Sequence, residues 1–167
     1  MGLAENRDTS GTSPRLRMAV DGDVEQLVKL INAAFVVEQI AIAGDRIDRL
    51  GVENYMRSGR FLLLEENGAL LGCVYVEKRG DHGYVGLLSV DPAQQKRGLG
   101  NKLAGAAEGY FREEGCGAVD LRVISVRAEL LSFYGRLGYV VTGTSPMPTQ
   151  VALKIPCHFI HMSKALR

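Results

Sequence analysis

Between Leu87 and Lys102 the chain passes from an apolar run into a glycine-rich turn and then into an amphipathic segment. It reads Leu87-Leu88-Ser89-Val90-Asp91-Pro92-Ala93-Gln94-Gln95-Lys96-Arg97-Gly98-Leu99-Gly100-Asn101-Lys102. Any fold this chain adopts must feed a strand into that turn and draw a helix out of it. A helix with a glycine-rich first turn exposes unpaired backbone N–H groups at the positive end of its dipole, and phosphate is the usual occupant of such an end. Lys96, Arg97 and Lys102 add charge at the same place. The turn is shaped to hold a pyrophosphate.

At 167 residues the chain has the length of one domain, which buries roughly 70% of its unfolded surface. Residues 1–14 mix small, polar and charged types without period and read as a disordered leader, leaving residues 15–167 as a single domain. Within it, residues 15–20 alternate as a first strand, and Asp21 and Asp23 offer caps to a helix with Val24, Leu27, Val28, Ile31, Ala34 and Phe35 on one face. A weaker helix is expected from about Asp45 to Gly59. Residues 61–65 and 70–78 form a hairpin about Asn67-Gly68. A fourth strand spans residues 84–90, and the helix after the glycine turn is closed by Gly115 and Gly117. A strand at 118–123, a helix at 128–137 ending on Gly138, and strands at 139–144 and 154–163 complete the order β-α-α-β-β-β-α-β-α-β-β.

Two familiar phosphate motifs fail here. No stretch fits G-x-x-x-x-G-K-[ST], and G-x-G-x-x-G fails because position 103 is Leu. What remains is Q-x-x-G-x-G, filled by Gln95, Gly98 and Gly100 after the strand phrase Leu88-Ser89-Val90-Asp91-Pro92. Downstream lies Phe133-Tyr134-Gly135-Arg136-Leu137-Gly138-Tyr139. The two blocks, at this spacing and in this element order, resemble the acyl-CoA motif and the Y-x-x-x-G-F/Y block of the GNAT superfamily of acyl-CoA-dependent N-acyltransferases. The likeness covers about nine-tenths of the chain.

The resemblance implies an α/β (α+β) fold with a mixed, mostly antiparallel seven-stranded sheet, helices on both faces, and a bulged fourth strand that splays from the fifth. It implies acetyl-CoA as cosubstrate. The backbone of Leu88 and Val90, with Ser89 between them, would pair with pantetheine, and the turn of Gln95, Lys96, Arg97, Gly98, Leu99, Gly100, Asn101 and Lys102 would hold the phosphates. Tyr134 would be the general acid that protonates the departing thiolate; its bland alternative is a half-buried helix tyrosine. Arg127 stands where many members place an asparagine that fixes the cofactor. It would reach a phosphate or point into solvent.

Amine acylation needs an acceptor for the amine's proton. The fourth strand carries no carboxylate, so Glu38, in the apolar segment 36–43, is the leading base; a plain surface carboxylate is the alternative. His158 and His161 lie three apart on the last strand and so face opposite ways. Neither they nor Cys73, Cys116 and Cys157 form a metal-ligand or nucleophile pattern, and no metal is expected. A formal net charge of +1 gives no field for nucleic acid, and no apolar run approaches the ~18 residues of a membrane span. The expectation is a cytoplasmic acetyltransferase that acts on a primary amine by direct attack in a ternary complex. A small-molecule acceptor is favoured, because segment 36–43 and the Pro146–Pro148 loop point to a closed pocket. A protein N-terminus or lysine, or a non-catalytic acyl-CoA sensor, are the alternatives, and a homodimer is an open expectation without a named interface.

Overall fold

The computed structural model describes residues 13–167, so the leader expected over residues 1–14 lies outside the described residues apart from Ser13 and Pro14, which join no helix or strand. The elements follow in the order β1 (Arg15–Met18), α1 (Val24–Phe35), α2 (Arg49–Ser58), β2 (Arg60–Glu66), β3 (Ala69–Arg79), β4 (His82–Val90), α3 (Leu99–Glu113), β5 (Ala118–Ile124), α4 (Ala128–Arg136), β6 (Val140–Pro146) and β7 (His158–Ala165). One seven-stranded sheet runs β1-β2-β3-β4-β5-β7-β6. Only the β4–β5 pair is parallel; its neighbours pair antiparallel, as the expected mixed sheet requires.

The central strands are apolar on both faces because both are covered. Leu62, Leu64, Val74 and Val76 pack with Leu99, Leu103, Ala107 and Phe111 of α3 and with Tyr134 of α4. Their neighbours Phe61, Leu63, Cys73 and Tyr75 pack with Val24, Leu27 and Ile31 of α1 and Val52 of α2. Alternate residues of one strand thus serve opposite layers. β4 breaks this rule: Val85 joins the α3 layer, whereas Leu87, two residues on, joins the α1 layer. The cause is an extra residue. Tyr75 faces Gly86 and Cys73 faces Ser89, so β4 uses three steps where β3 uses two, and Leu87 takes a left-handed φ of 51°. The Ser89 hydroxyl and the Cys73 thiol both donate to the Leu87 carbonyl that the bulge displaces.

Beyond the bulge β4 has no partner on its β5 side. Their pairing covers only His82–Tyr84 against Ala118–Asp120 and then ends. β5 continues instead alongside β7 up to Ile124 opposite Phe159. A split therefore opens between β4 and β5 toward the start of α3.

Two element starts differ most from expectation. α2 starts at Arg49 rather than near Asp45, because the Asp48 carboxylate caps it by accepting from Gly51 N–H at 2.7 Å. The preceding residues are tied down otherwise, with the Asn32 side chain exchanging two 2.9 Å hydrogen bonds with the Ile47 backbone. β7 starts at His158 rather than Lys154. Residues 152–154 are drawn to the other side of the fold, where Ala43 N–H donates to Ala152 C=O at 3.0 Å and Lys154 N–H to Ala41 C=O at 2.7 Å. Cys157 is half-buried, not part of a core like Cys73 and Cys116.

Gly83 shows how tightly α3 lies on the sheet. A Cβ there would sit 2.4 Å from ring carbons of Phe111, closer than atoms approach without displacement. Gly83→Ala is expected to destabilise the fold by about 1–3 kcal/mol, seen as a fall in thermal midpoint by differential scanning calorimetry.

Candidate active site

At the head of α3 the N-cap is Gly98, left-handed at φ 73°, with no side chain accepting from the helix's first N–H groups. A Cβ on Gly98 would meet nothing within 4 Å, so the approach to these amides is open. Lys96 is left-handed too, at φ 69°, which folds the turn back over the helix start. The Arg97 guanidinium is held at the side, donating to Gln94 Oε1 at 2.7 Å and to Glu66 Oε2 at 2.9 Å. Lys102 and Asn101 are exposed on the first turn. The sheet side of the split is equally prepared. Asp91 N–H donates to Leu71 C=O at 2.8 Å. Antiparallel strands alternate the direction of their backbone groups, so the polar groups of Val90 and Leu88 turn away from β3 toward the split.

The split leads into a cavity of about 530 Å³ walled by Glu38, Tyr84, Leu88, Arg122, Arg127, Tyr134 and Phe159, among others. That is the size of a small-ligand site. Its roof comes from two chain segments, 38–46 and 147–152, joined by the Ile42–Leu153 bridge and the backbone hydrogen bonds given above.

Glu38 and Tyr134, the two sequence candidates for chemistry, face this one cavity. Glu38 is buried on the short 3₁₀ turn Val36–Ile40 that extends α1. Its Oε2 accepts from Arg127 Nη1 at 2.7 Å, and Arg127 also pairs with Glu129. Burial pushes the Glu38 carboxyl above its ordinary range, with Arg127 pulling the other way. Tyr134 is buried, and burial pushes its phenol well up while Arg127 again opposes the shift. Tyr134 therefore stays protonated throughout the physiological range.

Residues 24–139 match the model of the acetyltransferase (GNAT) family. The chain belongs to the GNAT family. It is 32% identical over 131 residues to the mycothiol acetyltransferase of Propionibacterium freudenreichii subsp. shermanii, a match that covers 74% of this chain. The chain spans 42% of the length of that curated relative. Among solved structures, the ribosomal-protein-S18-alanine N-acetyltransferase of Escherichia coli superposes with a TM-score of 0.72 at 19% identity, covering 92% of this chain and 94% of that one. The structure of yncA from Salmonella typhimurium with its cofactor acetyl-CoA superposes with a TM-score of 0.73 at 23% identity, covering 93% and 95%. At these identities the two share the fold.

On this GNAT scaffold the sequence candidates fall into two groups. Leu88 and Val90 line the split and the turn from Gln95 to Lys102 forms the helix head, whereas Ser89 is paired with Cys73 of β3 and its side chain is buried and bonded within β4. Glu38 and Tyr134 stand in the cavity, and Arg127 stands with them. Its side chain is only 15% exposed and engaged by two carboxylates, so it neither points into solvent nor lies open to a phosphate, as the sequence had led one to expect. His161 bonds Ser145 Oγ through Nε2 at 2.7 Å, and His158 is exposed at the start of β7. Among the described residues no cluster of His, Cys, Asp and Glu could hold a metal, and no helix is long and apolar enough to cross a membrane. Tyr84, Arg122 and Phe159 were missed. Their only signal is alternate placement on strands whose opposite residues are core, and that pattern equally describes a solvated face.

Gly100→Glu puts a carboxylate at the helix head, where the helix dipole itself tolerates it. Coenzyme A affinity by isothermal titration should fall more than about tenfold, a loss of roughly 1.4 kcal/mol, while Gly105→Glu, exposed further along α3, leaves it unchanged.

Proposed function

We propose that this protein transfers an acetyl group from acetyl-CoA to the primary amine of a small molecule, by direct attack within a ternary complex. The observation that carries this reading is the placement of Glu38, Arg127 and Tyr134 on the wall of one roofed cavity at the end of the β4–β5 split. The residues present fit acetyl-CoA, since the open Gly98 cap and the unpaired edge of β4 match a diphosphate and an extended amide chain. Acetyl-CoA supplies the acetyl group as a thioester, already activated toward amines.

The chain's own residues do the rest. Amides from Arg97 to Asn101 bind the diphosphate, with Lys96 and Lys102 adding charge. Leu88 and Val90 would orient the pantetheine arm as a neighbouring strand would, and the backbone amide of Val90 or its neighbourhood would stabilise negative charge on the thioester oxygen. Glu38 takes the proton that the attacking nitrogen gives up as the N–C bond forms. Its raised pKa makes it a better base than an exposed carboxylate. Tyr134 donates its proton to the sulfur as the C–S bond breaks. Arg127 holds the Glu38 carboxylate in place and eases ionisation of the phenol. No cysteine or serine stands in a nucleophile arrangement among these groups, which favours direct transfer over an acyl-enzyme.

The bridged roof supports a small acceptor. A peptide enzyme needs an uncovered groove between the two loops, and here the main chain of residues 41–43 is hydrogen-bonded to that of 152–154. The names of the relatives alone do not decide the acceptor, since one is named for a ribosomal-protein alanine and another for mycothiol.

Release of coenzyme A from acetyl-CoA in the presence of an amine panel, followed with a thiol reagent, tests the reading; silence with every amine, beside intact coenzyme A binding, would leave a sensor instead. Tyr134→Phe is expected to lower kcat by about 10²-fold or more, in keeping with loss of a general acid, with a smaller effect on KM for acetyl-CoA. The pH profile separates Glu38. A base must be deprotonated, so kcat/KM should rise with pH along a limb lying above the ~4.3 of an ordinary glutamate, and Glu38→Gln should abolish that limb.

A further inference from the structure

We propose that Arg122 makes the cavity selective for amines that also carry a carboxylate, that is, for amino acids or close analogues. The inference rests on the amine-acetylating function above and names its acceptor class. Arg122 lies on β5 on the cavity wall, with its guanidinium over the Phe159 ring at 4.1 Å. Stacking holds the plane of the group and leaves its N–H edge available, a fork matched to the two oxygens of a carboxylate.

No carboxylate among the described residues pairs with Arg122, and this sets it apart from its neighbours. Arg127 is engaged by Glu38 and Glu129, and Arg79 by Glu77 at 2.6 Å. Asp120, two residues back on the same face of β5, is already committed: Oδ1 accepts from the Ser163 hydroxyl at 2.7 Å, and Oδ2 lies 2.7 Å from His82 Nδ1. Directly across from Arg122 on β7 is His161, bonded to Ser145. The remaining charges on the wall are Asp45 and Arg46 on the roof segment, and Arg46 stacks over Phe35 at 5.5 Å.

A simple alkylamine enters as a cation and meets this uncompensated arginine as repulsion. An amino acid enters as a zwitterion and turns the same charge into an attraction, so a single residue both recruits one class and rejects the other. Position adds reach. Tyr84, Leu121 and Arg122 form a wall shared with a second hollow of about 550 Å³, bounded by His82, Thr144 and Ser163, so an acceptor held at Arg122 has room for a side chain there. Its amine is left to face the cavity that holds Glu38 and Tyr134.

The test uses the full chain with coenzyme A present. A panel of α-amino acids, each matched with its decarboxylated amine (L-phenylalanine with phenethylamine, L-leucine with isopentylamine), is titrated calorimetrically and assayed in parallel for release of coenzyme A from acetyl-CoA. At least one pair should favour the carboxylated member tenfold or more in affinity. Arg122→Ala should erase that preference, and Arg122→Lys should keep part of it; coenzyme A affinity, measured on the same samples, reports that both variants are folded. Preference in binding without turnover keeps this inference and removes acetyl transfer. Turnover of amines with no carboxylate preference keeps acetyl transfer and overturns this inference. So does a preference that survives Arg122→Ala, or the absence of any discriminating pair.

Discussion

An extra residue in β4 shapes the open stretch of that strand. The sheet on either side of it is a conventional ladder, and a strand in a ladder has no backbone groups to offer a ligand. Leu87 at φ 51° turns the strand, whose pairing with β5 has already ended at Tyr84, so Leu88 and Val90 have no β5 partner across the opening. The bulge is bonded on its inner side, where Ser89 and Cys73 both donate to the Leu87 carbonyl. A left-handed leucine is strained by of order 1–3 kcal/mol, and such a conformation persists only where its surroundings over-determine it. Leu87 is buried among the α1-side residues, which supplies that determination.

The second long-range constraint is the Glu38–Arg127 pair. It joins the turn after α1 to the start of α4 across 89 positions of sequence. Both partners are largely removed from water, and removing Arg127 would leave the Glu38 carboxylate without compensation, at a cost of about 3–5 kcal/mol, whereas Arg127 without Glu38 keeps Glu129. The pair also links the two titrating groups of the cavity. Arg127 opposes the burial-driven rise at Glu38 and at Tyr134 alike, so one cation moderates both groups.

Local signals in the sequence made the element order, the glycine head of α3 and Tyr134 on α4 legible. Asn67-Gly68 is a clear case, for the structure places both in left-handed backbone at φ 52° and 77°, as a two-residue hairpin of that composition demands. What escaped was non-local. Nothing near Arg127 announces Glu38 as its partner, so its guanidinium was expected at a phosphate or in water. The start of β7 was placed too early, because Lys154 looks like strand until one knows that Ala41 claims its N–H. Arg122 gave no sign, since an alternating basic residue on a strand is ordinary until Phe159 and an open wall are brought beside it.

The roof bridge has a consequence for how such a protein diversifies. Its two hydrogen bonds run between main-chain atoms at Ala41, Ala43, Ala152 and Lys154, and main-chain bonding is indifferent to which side chains those positions carry. The lining of the cavity is therefore free to drift without dissolving the cover above it. The junction of β4 with the head of α3 lies on separate backbone and need not change at the same time. A few loop substitutions can thus reshape the cavity while the sheet and α3 are inherited intact.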